Sequence, residues 1–326
     1  MSLSRPPAGT VVWWLVMAVV GGYFLLRDDD PADEGRTSCT YAGAPRNVLT
    51  VRVEGDGLGE IVRRGNEIRV RRTDGPTSRC TGGTPTVRNT DAIKIVLVDL
   101  SFVEIDLSGG PFAPGATPES EGASEIEIEI NSDLGGAEVY GTEDADVWHW
   151  GPAGDTPGLN LNPRDAGDTD VDVTTTGEDG ISDGLGAVGG GGNDTIIGAR
   201  GARVRGVFAA DGGAGDDVLG TPGFVRSEVE TGFGELLGGP GDDVLTGAAT
   251  GDYLEGGGGA DQLDGREGDD DVKGGPGRDR LVGGAGEDTI TSRDSVSDIV
   301  SCGPGRDRVN RDARDEVSGC ERVRGG

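Results

Sequence analysis

The sequence predicts an all-β protein, in which a C-terminal solenoid of stacked nine-residue units follows a β-rich region of irregular, β-helix-like character. Three observations predict it. Glycine supplies 63 of 326 residues, while aromatics make up 4% and hydrophobic residues 33%, too little bulky apolar matter for a conventional core of that length. A unit rich in glycine and aspartate recurs every nine residues in the C-terminal half. Upstream of it, short runs alternate apolar and polar residues, and none has helical period.

The elements follow in order. Arg5 precedes an apolar run from Val11 to Leu26, which Arg27 and Asp28–Asp30 close. As a helix, those 16 residues would span ~24 Å, short of a ~30 Å hydrocarbon core but suited to a signal peptide. No small-x-small cleavage site follows Leu26, so 1–27 reads either as a signal peptide or as an uncleaved membrane anchor. Either way the rest of the chain is expected outside the cell, secreted or anchored at its surface. Residues 28–38 read as a linker. Residues 39–180 form the β-rich region, with Val48–Val53, Glu67–Arg71, Ile93–Val98, Phe102–Leu107 and Glu125–Ile130 as its clearest strands. In the last, strict alternation puts three isoleucines on one face and three glutamates on the other. Clusters of Gly, Pro, Asn and Asp at Gly109–Gly115 and Gly151–Gly158 separate the runs. Spacing alone leaves both a sandwich and an irregular β-helix open here. Residues 181–301 hold the repeats, and 302–326 read as a cap.

Charge narrows the partners. The formal net charge is −30, from 59 acidic and 29 basic residues. Nucleic acid is excluded as a partner because phosphate binding needs a basic face. Anionic membrane is disfavoured on the same ground, leaving the N-terminal segment as the only membrane contact. Residues 39–98 carry 10 basic and 6 acidic residues, but 99–200 carry 22 acids against Arg164 and Arg200 alone. A stretch at −20 repels itself unless counter-ions bind. The cysteines are four, Cys39, Cys80, Cys302 and Cys320, with no CxxC, and the single histidine is His149. Zinc-site spacing is therefore absent, and two local disulfides formed in an oxidising compartment are expected.

The repeat carries the chemistry. Residues 212–220 read GGAGDDVLG and 238–246 read GGPGDDVLT; five further copies run unbroken from 247 to 291, and an earlier one, GGGGNDTII, occupies 189–197. The template is G-G-x-G-x-D-x-U-x, with U a large apolar residue. Its aspartates in the unbroken block are Asp243, Asp252, Asp261, Asp270, Asp279 and Asp288, each followed two residues later by Leu245, Leu254, Leu263, Val272, Leu281 or Ile290. Glycine permits the tight turn. The apolar residue centres a three-residue strand that is stable only when its neighbours stack on it. Stacking at ~4.8 Å would then pile the aspartates along the outside of the turns, and unneutralised they would repel. Hard oxygen ligands from carboxylates and turn carbonyls suit several calcium ions. A solenoid with polar, metal-free turns is the competing reading.

The nonapeptide resembles that of the RTX (repeats-in-toxin, hemolysin-type) proteins, a known calcium-binding repeat. The resemblance implies a parallel β-roll with two nonapeptides per coil and calcium between same-side turns. It implies one ladder of Asp243, Asp261 and Asp279 and another of Asp252, Asp270 and Asp288. Thr250 and Arg266 replace template glycines in the second ladder, so its first site is expected to be weaker. Asp194 and Asp217 sit in well-formed turns, but at spacings of 23 and then 26 residues to Asp243, neither a multiple of nine. Departures from the pattern at 198–211 and 221–237 read as loops or irregular coils. Asp298 and Asp307, followed by Val300 and Val309, continue the period with one extra residue. Cys302 and Cys320 are 18 apart, one coil, and a disulfide between them would close the end of the roll. The segments SCTYAG at 38–43, NTDAIKI at 89–95, DLSGGPFAPGATPE at 106–119 and LNLNP at 159–163 resemble exported calcium-binding proteins of high-GC Gram-positive bacteria.

No catalytic constellation stands out. One histidine excludes HExxH, no G-x-S-x-G occurs, and the many GxG matches belong to the repeat. In Val147-Trp148-His149-Trp150 the histidine reads as a packing or surface residue, and the tryptophans as core or as a carbohydrate platform. Acids this abundant leave a β-helix polysaccharide lyase or epimerase as the enzyme alternative. A structural or adhesive protein, with cell-wall or matrix polysaccharide as a partner, is the favoured reading.

Overall fold

The computed structural model describes residues 36–55, 58–72, 77–98, 101–110, 126–132, 136–153, 156–161, 173–176, 182–198, 206–220 and 232–325. These lie in the second of two compact units, Gly35–Gly326. The expected signal peptide or anchor at 1–27 and most of the linker fall outside the described residues. Within them, no helix is long and apolar enough to cross a membrane.

Among the described residues the strands form two sheets of fourteen and thirteen strands, and successive coils add to each in turn. In the first sheet Val48–Glu54 pairs in parallel with Ala92–Leu97, and that strand with Glu127–Ser132. In the second, Leu58–Arg64, Phe102–Asp106, Gly136–Tyr140 and Ser182–Gly191 stack in parallel likewise. The N-terminal region is thus an irregular β-helix, not a sandwich. Its irregularity comes from antiparallel additions. Arg36–Ala42 turns back on Val48–Glu54, Glu67–Arg72 on Leu58–Arg64, and Thr156–Asn160 lies antiparallel between Val147–Ala153 and Val173–Thr176.

Side-chain columns explain why the stack holds. On the first sheet Leu49, Ile93, Ile128 and Val173 align rung upon rung. Further along, Trp148, Ile196, Leu219, Leu245, Leu263, Leu281 and Val300 do the same. On the second sheet the column runs Ile61, Ile105, Val139, Ala187, Ala210, Leu236, Leu254, Val272, Ile290 and Val309. All of these are buried in one continuous core between the sheets. Each leucine contributes roughly 1.5–3 kcal/mol on burial, available only once the next coil covers it. Strands before residue 177 and after residue 181 pair in the same two sheets, so the repeats extend a stack that the N-terminal region begins.

Two further points bear on the sequence reading, the first as a revision and the second as expected. Within the stretches expected to be loops, Gly206–Ala214 and Gly232–Pro240 are strands in parallel register with each other; residues 199–205 and 221–231 lie outside the described residues. Both disulfides are present, Cys39–Cys80 with Cα atoms 4.7 Å apart and Cys302–Cys320 at 5.2 Å. The second braces the last coil, whose strands Glu316–Ser318 and Arg322–Arg324 end the two sheets.

Candidate metal centre

Each turn precedes a short strand, and its aspartate, at position 6 of the nonapeptide, stands at the junction. The sequence reading put these aspartates along the outside. The structure buries them: Asp243, Asp288, Asp298 and Asp307 are 0% exposed, and Asp194, Asp217, Asp252, Asp261, Asp270 and Asp279 no more than 2%. The cause is the stacking itself, since each carboxylate is covered by the backbone of neighbouring coils.

One oxygen of each carboxylate welds two coils. Oδ1 of Asp261 accepts the N–H of Asp243 at 2.8 Å, and Oδ1 of Asp279 that of Asp261 at 3.0 Å. The column extends in both directions. Asp146 N–H reaches Asp194, Asp194 reaches Asp217, and Asp217 reaches Asp243, at 2.7–2.8 Å. Beyond Asp279 follow Asp298 and Asp315. The spacings of 23 and 26 residues therefore leave this ladder intact. On the other edge Asp252, Asp270, Asp288 and Asp307 form the second ladder, which Glu321 ends by accepting the Asp307 N–H at 2.9 Å.

The other oxygen has no such use. Among the described residues, Oδ2 of Asp194, Asp217, Asp243, Asp261, Asp270, Asp279, Asp288, Asp298 and Asp307 is buried without a hydrogen-bond partner. Leaving a buried carboxylate oxygen unsatisfied is expensive, and nine repetitions of it point to a ligand. Glycine at position 1 leaves room beside that oxygen. A Cβ on Gly238 would lie 2.4 Å from Asp243 Oδ2 and 2.4 Å from the Gly256 carbonyl of the next coil. The same pair of oxygens frames Gly189, Gly256, Gly265 and Gly283, at 2.2–2.7 Å. The turn thus offers a cradle of carboxylate and carbonyl oxygens, a donor set that matches a hard cation such as calcium. Among the described residues no three His, Cys, Asp or Glu side chains converge as a metal cluster, so the backbone carbonyls are essential to the fit.

Electrostatics agrees. Burial pushes the carboxyls of Asp194, Asp243 and Asp279 up to about 7 and that of Asp270 to about 8, with the neighbouring aspartates of the same ladder adding to the rise and the backbone N–H bond opposing it. Without a counter-charge these four carboxyls are partly protonated near neutrality. With a cation they would not be.

The family comparison can now be set beside this geometry. The family model of the RTX calcium-binding nonapeptide repeat matches residues 187–203, 237–272 and 264–294, in four copies. The chain carries RTX calcium-binding repeats. No curated protein and no solved structure matches the chain. Asp217, Asp298 and Asp307 lie outside the matched residues, yet each joins its ladder through Oδ1 and has a buried Oδ2 without a donor, as the matched aspartates do.

Sequence reasoning missed part of the row. Residues 141–149, GTEDADVWH, form a degenerate turn stacked directly on 189–197, with Val147, Trp148 and His149 opposite Thr195, Ile196 and Ile197. The signal was a glycine five residues before Asp146 and an apolar residue two after it. Trp148 occupies the apolar position and is 1% exposed, so it is core and not a carbohydrate platform; His149 is buried beside it. Asp315 was missed for the same reason, its turn having lost every glycine.

Proposed function

We propose that this is an exported calcium-binding protein whose β-roll folds as calcium loads its turns, and whose role at the cell surface or in the matrix is structural or adhesive. The observation that carries the reading is the set of nine buried aspartate oxygens without donors, of which those of Asp194, Asp243, Asp261, Asp270 and Asp288 lie beside a glycine also framed by a carbonyl of the next coil. Asp194, Asp217, Asp243, Asp261, Asp279 and Asp298 would hold ions along one edge, and Asp270, Asp288 and Asp307 along the other. Calcium would supply the positive charge that stacked buried carboxylates lack. The chain's own part is to align the carboxylates through Oδ1 and to keep position 1 free of a side chain.

Metal-coupled folding follows from linkage, because the cradle spans two coils and exists only when they stack. Two disulfides support an oxidising, extracellular location. The test is far-UV circular dichroism of the chelator-treated protein, titrated with calcium and separately with magnesium. A cooperative gain of β signal with calcium alone is expected. A β signal complete in chelator and unmoved by calcium would refute the coupling.

A further inference from the structure

Three aspartates of the two ladders differ from the other nine. Oδ2 of Asp146 accepts the N–H and the hydroxyl of Thr142, at 2.8 and 3.1 Å. Oδ2 of Asp252 accepts the N–H of Ala248 at 2.6 Å. Oδ2 of Asp315 accepts the N–H of Asp312 at 3.0 Å and the hydroxyl of Ser292 at 2.9 Å. In these turns the chain itself supplies the donor that the others lack.

Turn position 2 separates the two classes in every turn but that of Asp298. It lies in the left-handed region at Gly190, Gly213, Gly239, Gly257, Gly275, Gly284 and Gly303, with φ from 92 to 116°, and at Arg266 with φ 73°. All eight belong to aspartates with an unpartnered Oδ2. The ninth, Asp298, is the exception: its turn is one residue longer, its second residue Arg293 is not left-handed, and the positive φ of 81° falls at Ser295, three residues before the aspartate. At Thr142, Ala248 and Arg311, position 2 is not left-handed, and these are the three self-bonded turns. The N–H explains the link. Where position 2 is left-handed its N–H is directed away from the turn's aspartate: Gly257 donates to the Gly274 carbonyl, Gly284 to that of Cys302, and Arg266 to Asp264. In the three self-bonded turns, where it is not, the N–H of position 2 or 3 turns onto Oδ2. A reversal of the sign of φ accompanies a turning over of the preceding peptide, which carries its N–H to the opposite side.

We infer that the backbone conformation at position 2 decides whether a turn takes a cation or closes on itself, so that Asp146, Asp252 and Asp315 are metal-free rungs. The inference rests on the calcium reading. Glycine at position 2 is then the residue that keeps a site open, and Arg266 keeps Asp270 open by accepting a left-handed φ.

The test is calcium stoichiometry of the full chain by equilibrium dialysis, with calcium alone as probe. Ala248→Gly, and Ala248→Gly with Thr250→Gly to restore the template, are expected to add one calcium per chain. Adding Asp252→Asn to either should return the count to that of the unmodified protein. An unchanged count in both glycine variants, while the unmodified protein binds several ions, would overturn the inference and leave the calcium reading standing. Should the unmodified protein bind none, both fall. Circular dichroism in calcium checks that the variants keep their β content.

Discussion

Asp261 offers the sharpest separation of the structural and the metal-binding roles of the ladder. Its Oδ1 accepts the Asp243 N–H at 2.8 Å, and its Oδ2 has no donor. Replacing it with asparagine keeps an acceptor for that N–H but removes the charge. Alanine removes both, and the orphaned N–H of Asp243 costs about 1–3 kcal/mol. In chelator, Asp261→Ala should therefore be less stable by that amount, whereas Asp261→Asn should match or exceed the unmodified protein, since a buried, uncompensated carboxylate is gone. In calcium both should fall short of the unmodified protein by the same further increment, because both lose a ligand, while the gap between them stays as it is in chelator. An ion present at a hundred times its dissociation constant contributes about 2.7 kcal/mol, and that increment should vanish from both. The assay is urea unfolding followed by circular dichroism, in chelator and in calcium, with stoichiometry measured alongside. An asparagine variant that binds as many calcium ions, at unchanged affinity, would refute the reasoning.

Other perturbations probe the remaining parts. Gly256→Ala places a Cβ 2.5 Å from Asp261 Oδ2 and 2.7 Å from the Gly274 carbonyl, so calcium titration should show the loss of that site. Leu263→Ala empties a position 1% exposed in the core column and should cost about 2–5 kcal/mol in calcium, read by urea unfolding. The pH response of the metal-free protein follows from aspartates whose folded values stand near 7 to 8 against 3.8 in the free side chain. The folded state retains protons that the unfolded state has lost, so stability should be highest below about pH 4 and fall as pH rises to about 8; acidifying chelated protein should restore β signal while calcium affinity drops. Opening Cys302–Cys320 by a double serine substitution frees a span of 18 residues and should cost about 3 kcal/mol, seen as earlier unfolding of the last coils.

What could be read from the sequence divides along physical lines. The roll was legible because the aspartate and the apolar residue keep a fixed offset, and both ladders within 238–291 align as the period requires. The N-terminal stack was legible only as strands. Alternation such as Ile126, Ile128 and Ile130 looks the same in parallel and antiparallel sheets, and the partners Ile93 and Val173 of Ile128 are set by coil geometry, which leaves no mark at short range. The place of Asp194 and Asp217 was obscured by counting residues where the molecule aligns turns. The burial of the aspartates was missed because their polarity suggested solvent, whereas the neighbouring coil supplies their environment. The difference between open and self-bonded turns needed the backbone, since Arg266 and Ala248 both break the template and only one keeps the left-handed conformation.

The unbroken ladder from Asp194 through Asp217 to Asp243 has a consequence for what the chain tolerates. One coil needs 18 residues, as between Asp243 and Asp261, so spacings of 23 and 26 carry surpluses of 5 and 8 residues. The surplus lies after Thr195–Gly198 and before Gly206–Ala214, and after Val218–Gly220 and before Gly232–Pro240, and the turns on either side keep their welds. Length there is free to drift, whereas a single residue inserted between Gly256 and Asp261 would displace a carboxylate from its cradle. The two gaps are natural ports for grafting: an epitope, a tag or a whole binding loop spliced in there should leave the carboxylate ladder on either side in register.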